Sequence, residues 1–309
     1  MKKFAFALHG GAGTILKTAM THEKEKAYRE ALSKALSTGE SILIHGGTAI
    51  DAVEKAVVEL ENSAVFNAGY GSVFTHDLSH ELDASIMDGN GRRAGAVAGI
   101  KRIKNPISLC RKIMDKSEHV FLLADGAEAF ARQEGEELVS ESYFSTDSRK
   151  EQLLKIRDSL KTQLDHSDDQ LKTFGTVGAV ALDKTGNLAA ATSTGGITNK
   201  RFGRVGDSAI IGSGTYAENG VCAISCTGWG EYFIRCVAAY EVAAMIRHGK
   251  MSIKNAARTL INDTIPKMGG DGGLIGVDRE GNITMPFNTE GMYRAKVDSE
   301  SGPEIHIYK

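Results

Sequence analysis

Thr176 stands in the run Phe174-Gly175-Thr176-Val177-Gly178-Ala179-Val180, where a charged, strand-poor stretch gives way to an apolar strand pattern. A threonine hydroxyl is a poor nucleophile because nothing beside it takes its proton. Cutting the Gly175–Thr176 bond would leave that residue with a free α-amine next to its hydroxyl, so nucleophile and base would share one residue. Gly175, without a Cβ, is expected to adopt the strained backbone that attack on its own carbonyl needs. A second able pair lies in Arg204-Val205-Gly206-Asp207. A guanidinium holds a carboxylate bidentately and a carboxylate holds an ammonium, so the pair suits a zwitterion. The plainer reading is a local surface ion pair that contributes little. Thr192, Thr194 and Thr227 fall, like Thr176, in strand-like segments beside small residues, and any one of them alone is an ordinary strand threonine.

Other signals are weaker. A serine hydrolase of the α/β class needs a GxSxG elbow, which the chain lacks. His9-Gly10-Gly11-Ala12-Gly13 reads as a tight loop where backbones approach closely, and no glycine run reaches GxGxxG between a strand and a helix. His76 and His80, four apart in Thr75-His76-Asp77-Leu78-Ser79-His80-Glu81, invite a zinc reading. Turn-forming neighbours and the lack of HExxH make them surface histidines instead.

The elements that must position these groups follow from periodicity. Phe4, Phe6 and Leu8 alternate as a first core strand. A long helix is expected from about 21 to the Gly46-Gly47 stop, and Thr48-Ala49-Ile50-Asp51 reads as a capping-box-like start to a second helix through Leu60. Strands are expected over 81–87 and 94–103, a helix from Asn105-Pro106, a short strand over 120–123 and a helix over 126–133. Residues 134–172 are dense in charge and Ser; a surface helix over 149–163 and a solvated linker are expected there. Beyond Gly175 the pattern predicts strands over 177–182, 188–193, 209–211 and 221–226. A helix over 231–248, another from Ser252, and a last hairpin of 274–277 with 283–287 complete it. That order suits two sheets packed face to face with helices outside.

At 309 residues the chain can bury a large core, and 37 basic against 39 acidic residues (net charge −2) give no electrostatic case for nucleic acid or an anionic membrane. The N-terminal apolar run is too short for a signal peptide, and no run approaches a membrane span, so a cytoplasmic protein is expected. Cys110, Cys222, Cys226 and Cys236 form no CxxC pair. Four residues along one strand put Cys222 about 13 Å from Cys226, so reduced thiols are expected.

Taken together, the residues from Gly175 to Asp183 resemble the nucleophile strand of the isoaspartyl peptidase/plant-type (type III) asparaginase family of N-terminal-nucleophile hydrolases. The likeness extends through Ala191-Thr192-Ser193-Thr194-Gly195-Gly196, Gly203-Arg204-Val205-Gly206-Asp207-Ser208 and Cys226-Thr227-Gly228-Trp229-Gly230-Glu231. In the first half it includes His9-Gly10-Gly11-Ala12-Gly13, Phe66-Asn67-Ala68-Gly69 and Leu82-Asp83-Ala84-Ser85-Ile86-Met87-Asp88-Gly89, so it spans nearly the whole chain. It implies a single α+β domain folded as a four-layer αββα sandwich. It also implies self-cleavage into residues 1–175, with the charged linker of about 134–174, and residues 176–309, paired as an (αβ)2 assembly.

By this resemblance Thr176 is the nucleophile and Thr194 hydrogen-bonds it, while Thr227 and Gly228 form the oxyanion hole. Arg204 and Asp207 hold the aspartyl α-carboxylate and α-ammonium, Gly230 backs the amine side, and Asn67 supports the site. The implied substrates are small molecules, β-aspartyl dipeptides and L-asparagine, and no cofactor is needed for catalysis. A structural sodium ion is implied on backbone carbonyls of Leu60, Glu61, Ser63, Phe66, Ala68 and Tyr70. Glycosylasparaginases share the fold but place Asp before the nucleophile, so Gly175 points to the isoaspartyl branch. Phe174 departs from the residue expected beside the cut, and Trp229 is expected to narrow the pocket and shift leaving-group preference. Two alternatives stay open: a glycosylasparaginase-type amidohydrolase, and a non-catalytic solute-binding protein that keeps the fold and never cuts itself.

Overall fold

The computed structural model of the chain describes residues 3–163 and 175–309. Phe174 and the end of the charged linker, 164–174, lie outside the described residues.

In the first half, β1 (Ala5–Gly13) leads to α1 (His22–Ile44) and α2 (Ala49–Glu61). Thr21 caps α1 by accepting from Lys24 N, and the helix stops where Gly46 turns to φ +83° and Gly47 N bonds back to Ile42 O at 2.8 Å. Thr48 opens α2, accepting from Asp51 N and donating to the Asp51 carboxylate at 2.6 Å. Then come β2 (Leu82–Asp88), β3 (Arg93–Ile100), α3 (Pro106–Lys116), β4 (Phe121–Leu123), α4 (Ala124–Gln133) and α5 (Asp147–Gln163). The second half holds β5 (Val177–Leu182), β6 (Leu188–Thr194), β7 (Thr215–Glu218), β8 (Cys222–Gly228), α6 (Gly230–Arg235), α7 (Ala238–Arg247), α8 (Ile253–Thr259), β9 (Gly272–Asp278), β10 (Ile283–Thr284), β11 (Gly291–Asp298) and β12 (Glu304–Tyr308).

The strands form an eight-stranded sheet, ordered β12-β11-β1-β5-β6-β2-β3-β4, and a four-stranded sheet, ordered β10-β9-β8-β7. Alternation along each central strand decides the layering. In β1, Phe6 and Leu8 join the core beneath α1 and α2, while Ala5, Ala7 and Ala12 join the core toward the second sheet. β5 divides likewise, with Val177, Ala179 and Ala181 on the helix side and Val180 and Leu182 on the sheet side. Both faces are apolar, so these strands read as continuous hydrophobic runs. Helices α7 and α8 cover the outer face of the small sheet through Val242, Ile253 and Ala257. The result is the expected four-layer αββα sandwich. Among the described residues no helix is long and apolar enough to cross a membrane.

Several expectations are corrected. The His9–Gly13 stretch is not a loop but the second half of β1, bulged between His9 and Gly11, with Gly10 flush against the Phe66 ring. The 209–211 stretch is a short 3-10 turn over Asp207–Ala209 plus a single bridge, and the strand proper is β7. The expected helix over 231–248 is broken at Val237, in the left-handed region at φ +49°. The break lets α7 aim its first free N–H groups at the carbonyls of Gly212 and Ser213, from Tyr240 N at 2.8 Å and Ala239 N at 3.1 Å. The hairpin of β9 and β10 is not the last, because β11 returns to pair with β1 and β12 follows it.

The described part of the charged segment also packs. Phe144 and Leu153 are buried, and Arg149 donates to Gly71 O at 2.7 Å, tying α5 to the loop after α2. His80 is not at the surface either: it is 1 % exposed, bonded to Ser72 Oγ and in contact with the Phe74 ring. All four cysteines are free; Cys110, Cys222 and Cys226 are buried and Cys236 is half-buried.

Candidate active site

Thr176 lies one residue before β5, at the centre of the large sheet, and is 7 % exposed. Its hydroxyl donates to Thr194 Oγ1 at 3.2 Å, and Thr194 Oγ1 also accepts from Gly196 N at 3.0 Å. With its proton pointed at Thr194, the Thr176 oxygen keeps lone pairs for an acyl carbon. The Thr176 carbonyl accepts from His9 Nδ1 at 3.0 Å.

Thr227 comes from β8 of the facing sheet, where its oxygen accepts from Ala12 N at 3.2 Å. One of its two lone pairs is thus occupied, and its own proton is left to donate. Gly228, at φ +153°, has no room for a side chain: a Cβ would sit 2.5 Å from Asp271 O. The bulged end of β1 is therefore what carries Ala12 to Thr227 and sets the hydroxyl's polarity.

Asn67 ties two loops together. Its side chain donates to Gly196 O at 2.6 Å and accepts from Val73 N at 2.9 Å, and its own carbonyl accepts from Gly195 N. Space requires glycine beside it too, since a Cβ at Gly175 would lie 2.8 Å from Asn67 Cβ.

Arg204 does not pair with Asp207. It makes a fork with Glu231, Nε to Oε1 and Nη2 to Oε2, both at 2.9 Å, leaving Nη1 without a hydrogen bond among the described residues. Burial would raise the Glu231 carboxyl, but hydrogen bonds from Arg204 and the Trp229 side chain hold it below the usual range. Asp207 is 3 % exposed and its Oδ2 has no hydrogen-bond partner among the described residues. Burial outweighs the nearby Arg204 charge and pushes its carboxyl up to about 7. Gly206 and Gly230 make the room: a Cβ on either would lie 2.8 Å from an Arg204 nitrogen, and on Gly230 also 2.9 Å from Asp207 Oδ1. One small cleft, about 10 Å³ in the continuous chain, has Thr176, Thr194, Arg204, Asp207 and Gly228 in its wall. A donor fork with a spare N–H, a buried carboxylate with one open oxygen and a hydroxyl pair can together hold an amino-acid head group against a nucleophile.

Of the predicted site residues, Thr176, Thr194, Thr227, Gly228, Arg204, Asp207, Gly230, Asn67 and Gly175 all come together here. Thr192 stands one layer behind, bonded to Ser225 and Thr215. The reading missed Glu231 as the partner of Arg204 and His9 as the partner of Thr176, although both lie in the quoted motifs. Leu60 and Glu61 end α2, and Ser63, Phe66, Ala68 and Tyr70 lie in the turn that follows. There Gly69 and Gly71 bring backbone against the carbonyls of Glu61 and Phe66; a Cβ at Gly69 would meet Glu61 O at 2.4 Å, and one at Gly71 would meet the Phe66 carbonyl more closely still. Hard carbonyl oxygens are the donor type a sodium ion takes. The Glu61 side chain points away, to Ser193 Oγ at 2.6 Å and Ile107 N at 3.1 Å, and burial pushes its carboxyl up to about 8.

The αββα sandwich puts the chain in the N-terminal-nucleophile hydrolase fold class. More narrowly, the chain belongs to the asparaginase family, whose model matches residues 2–307. It is 50 % identical over 312 residues to an isoaspartyl peptidase of Salmonella typhimurium, covering all of both chains. It is 51 % identical to an isoaspartyl peptidase of Escherichia coli, covering 100 % of this chain and 97 % of the other. An isoaspartyl peptidase/L-asparaginase of Xenopus laevis is 41 % identical, covering 99 % of this chain and 94 % of its own.

Proposed function

We propose that the chain is a self-cleaving threonine hydrolase that releases L-aspartate from β-aspartyl dipeptides and L-asparagine. The observation that carries this is the buried Asp207 carboxylate, its Oδ2 without a hydrogen bond among the described residues, facing the same cleft as the Thr176–Thr194 hydroxyl pair.

In the uncut chain the Thr176 nitrogen is an amide and cannot serve as base. Thr176 Oγ attacks the Gly175 carbonyl, the C–N bond breaks to leave an ester, and water hydrolyses it. Residues 1–175 and 176–309 result, with a free amine on Thr176. That amine has a reference pKa of about 7.7–8.0, so about one-seventh is neutral at pH 7. It takes the hydroxyl proton as Thr176 attacks the substrate's side-chain amide. Arg204 Nη1 holds the α-carboxylate, and Asp207, backed by Gly230, holds the α-ammonium. Thr227 Oγ1–H and the Gly228 backbone stabilise the oxyanion, each donor contributing about 3–4 kcal/mol. The amine's proton passes to the leaving nitrogen, and water then releases aspartate from the acyl-threonine. Asn67 keeps the loops at Gly175 and Gly195 in register. Carbonyls of Leu60, Glu61, Ser63, Phe66, Ala68 and Tyr70 would hold a sodium ion whose chemistry is structural, closing the turn beneath Asn67.

Replacing Thr176 by Ala tests the reading. Thr176→Ala should run as one uncut band under denaturing conditions and release no aspartate, whereas wild type gives two bands, one beginning Thr-Val-Gly. Two bands from the variant, or aspartate release by it, would refute the assignment.

A further inference from the structure

A row of buried hydroxyls runs from the substrate clamp to the nucleophile through a histidine that the mechanism above does not use. Ser85 Oγ lies 2.6 Å from Ser208 O and 2.8 Å from Thr215 Oγ1. Thr215 Oγ1 lies 2.5 Å from Thr192 Oγ1, which is 2.7 Å from Ser225 Oγ. Ser225 Oγ is 2.9 Å from His9 Nε2, and His9 Nδ1 is 3.0 Å from the Thr176 carbonyl. All five side chains are 0 % exposed.

The direction of every proton from Thr215 onward follows from chemistry. The Thr176 carbonyl can only accept, so Nδ1 carries the ring proton. Burial lowers His9 to a pKa of about 3, so the ring is neutral and Nε2 must accept from Ser225. Ser225, its proton spent on Nε2, accepts from Thr192, which accepts from Thr215. The carbonyls of Gly214 and Ala191 are weaker alternatives, 3.3 Å from Thr192 and 3.2 Å from Ser225, each farther than the next link. An acceptor bond at Nε2 makes Nδ1–H a stronger donor, and hydrogen bonds in series reinforce one another.

The sequence makes room for this row at one position. A Cβ on Gly178 would lie 2.0 Å from Ser225 Oγ and 2.6 Å from His9 Nε2, so only glycine lets the two meet. The backbone ladder between β1 and β5 ends at the His9–Gly178 pair. Beyond it, the link from β1 to Thr176 passes to the imidazole. A residue that becomes a chain terminus on cleavage needs such a tether.

We propose that His9 is a positioning residue, held in its Nδ1-protonated form by the Ser85–Thr215–Thr192–Ser225 hydroxyl chain, and that it fixes the backbone of Thr176 for attack. The inference rests on the activity proposed above, and its test separates the two. Misplacing a reacting group by about 1 Å costs about 100-fold in rate. His9→Leu should therefore lose about 100-fold in kcat on a β-aspartyl dipeptide with KM within about twofold. His9→Asn, whose amide N–H replaces Nδ1–H, should stay within about tenfold of wild type. Thr192→Val, two links away and isosteric, should lower kcat several-fold while Thr192→Ser restores it. Should the His9 variants fail to fold, the Thr192 pair decides, and equal kcat for Val and Ser overturns the inference. Wild-type kcat in folded His9→Leu, or His9→Asn no better than His9→Leu, overturns it as well. Imidazole 15N spectra of wild type give a readout free of activity: His9 should be the neutral Nδ1–H tautomer down to about pH 4, and the Nε2–H tautomer or a charged ring would overturn it. An inactive wild type showing that Nδ1–H signature would sink the activity assignment and leave the tether standing.

Discussion

Asp207 is a carboxylate kept where the fold gains nothing from it. With Oδ2 unpartnered among the described residues and burial pushing its carboxyl up to about 7, it binds a proton more tightly folded than unfolded. The linkage sign follows: the folded state holds that proton between the unfolded value, near 3.9, and about 7, so stability falls as pH rises across that window. Binding runs the other way, because only the ionised carboxylate attracts an ammonium. Asp207→Asn should therefore melt higher at pH 8, by about 2–4 °C for each kcal/mol recovered. The same variant should lose at least 100-fold in kcat/KM, the size set by removing one partner of a buried ion pair, about 3–5 kcal/mol. In wild type kcat/KM should climb through about pH 7, with the α-amine adding to the same limb. A lower melting temperature in Asp207→Asn, or an acid-favoured kcat/KM, would contradict this account. The Arg204–Asp207 spacing made the proposed clamp legible in sequence. Glu231 was not legible as a partner, because it lies in the first turn of α6 and no local pattern links it to Arg204.

At the level of elements, the two clamp loops are joined by side chains rather than by a sheet. The loop ending β8 carries Trp229, whose side-chain hydrogen bond helps hold Glu231 ionised, and Glu231 holds Arg204 in its fork. The indole can only donate, so the order Trp229 to Glu231 to Arg204 is set by chemistry. Trp229→Phe keeps an aromatic ring and removes that donor. A hydrogen bond of about 1 kcal/mol to a half-exposed carboxylate corresponds to roughly a fivefold rise in KM for β-aspartyl dipeptides, with kcat little changed. Steady-state kinetics on matured protein would measure it, and an unchanged KM would mean that Glu231 is fixed without the indole. Most elements were legible because their signals are local: Thr21 and Thr48 caps, the Gly46-Gly47 stop, and apolar alternation in β5 and β6. The break at Val237 was not, since it is set by carbonyls of Gly212 and Ser213 far back in the chain. β11 shows the same limit. Tyr293, Ala295 and Val297 alternate with Arg294, Lys296 and Asp298, yet the partner β1 lies at the opposite end of the sequence and no tight turn announces the pairing.

For the whole molecule, the proposed cut has to leave the fold intact, and the strand order supplies the reason. Element order suggested two packed sheets, but which strands neighbour which is a matter of long-range pairing that no local pattern encodes. In the large sheet β1, from before the cut, lies between β11 and β5, both from after it, and β6 pairs with β2 across the same boundary. Three ladders thus join residues 1–163 to residues 176–309, and both apolar cores draw side chains from each. Severing the peptide bond at Gly175–Thr176 removes none of those ladders. Matured protein should therefore elute as one species and separate into two fragments only with global unfolding, in one cooperative transition seen alike by circular dichroism and by the single tryptophan, Trp229. The proposed (αβ)2 assembly adds that native mass should equal two copies of each fragment. Refolding should differ sharply between the two forms. Uncut Thr176→Ala regains its interleaved sheet within one chain, at a yield independent of dilution below the dimer step. Matured protein must first bring two chains together, so its yield should fall as it is diluted. Fragments that part in mild buffer, or matured protein whose refolding yield ignores dilution, would mean that the sheet is not interleaved across the cut.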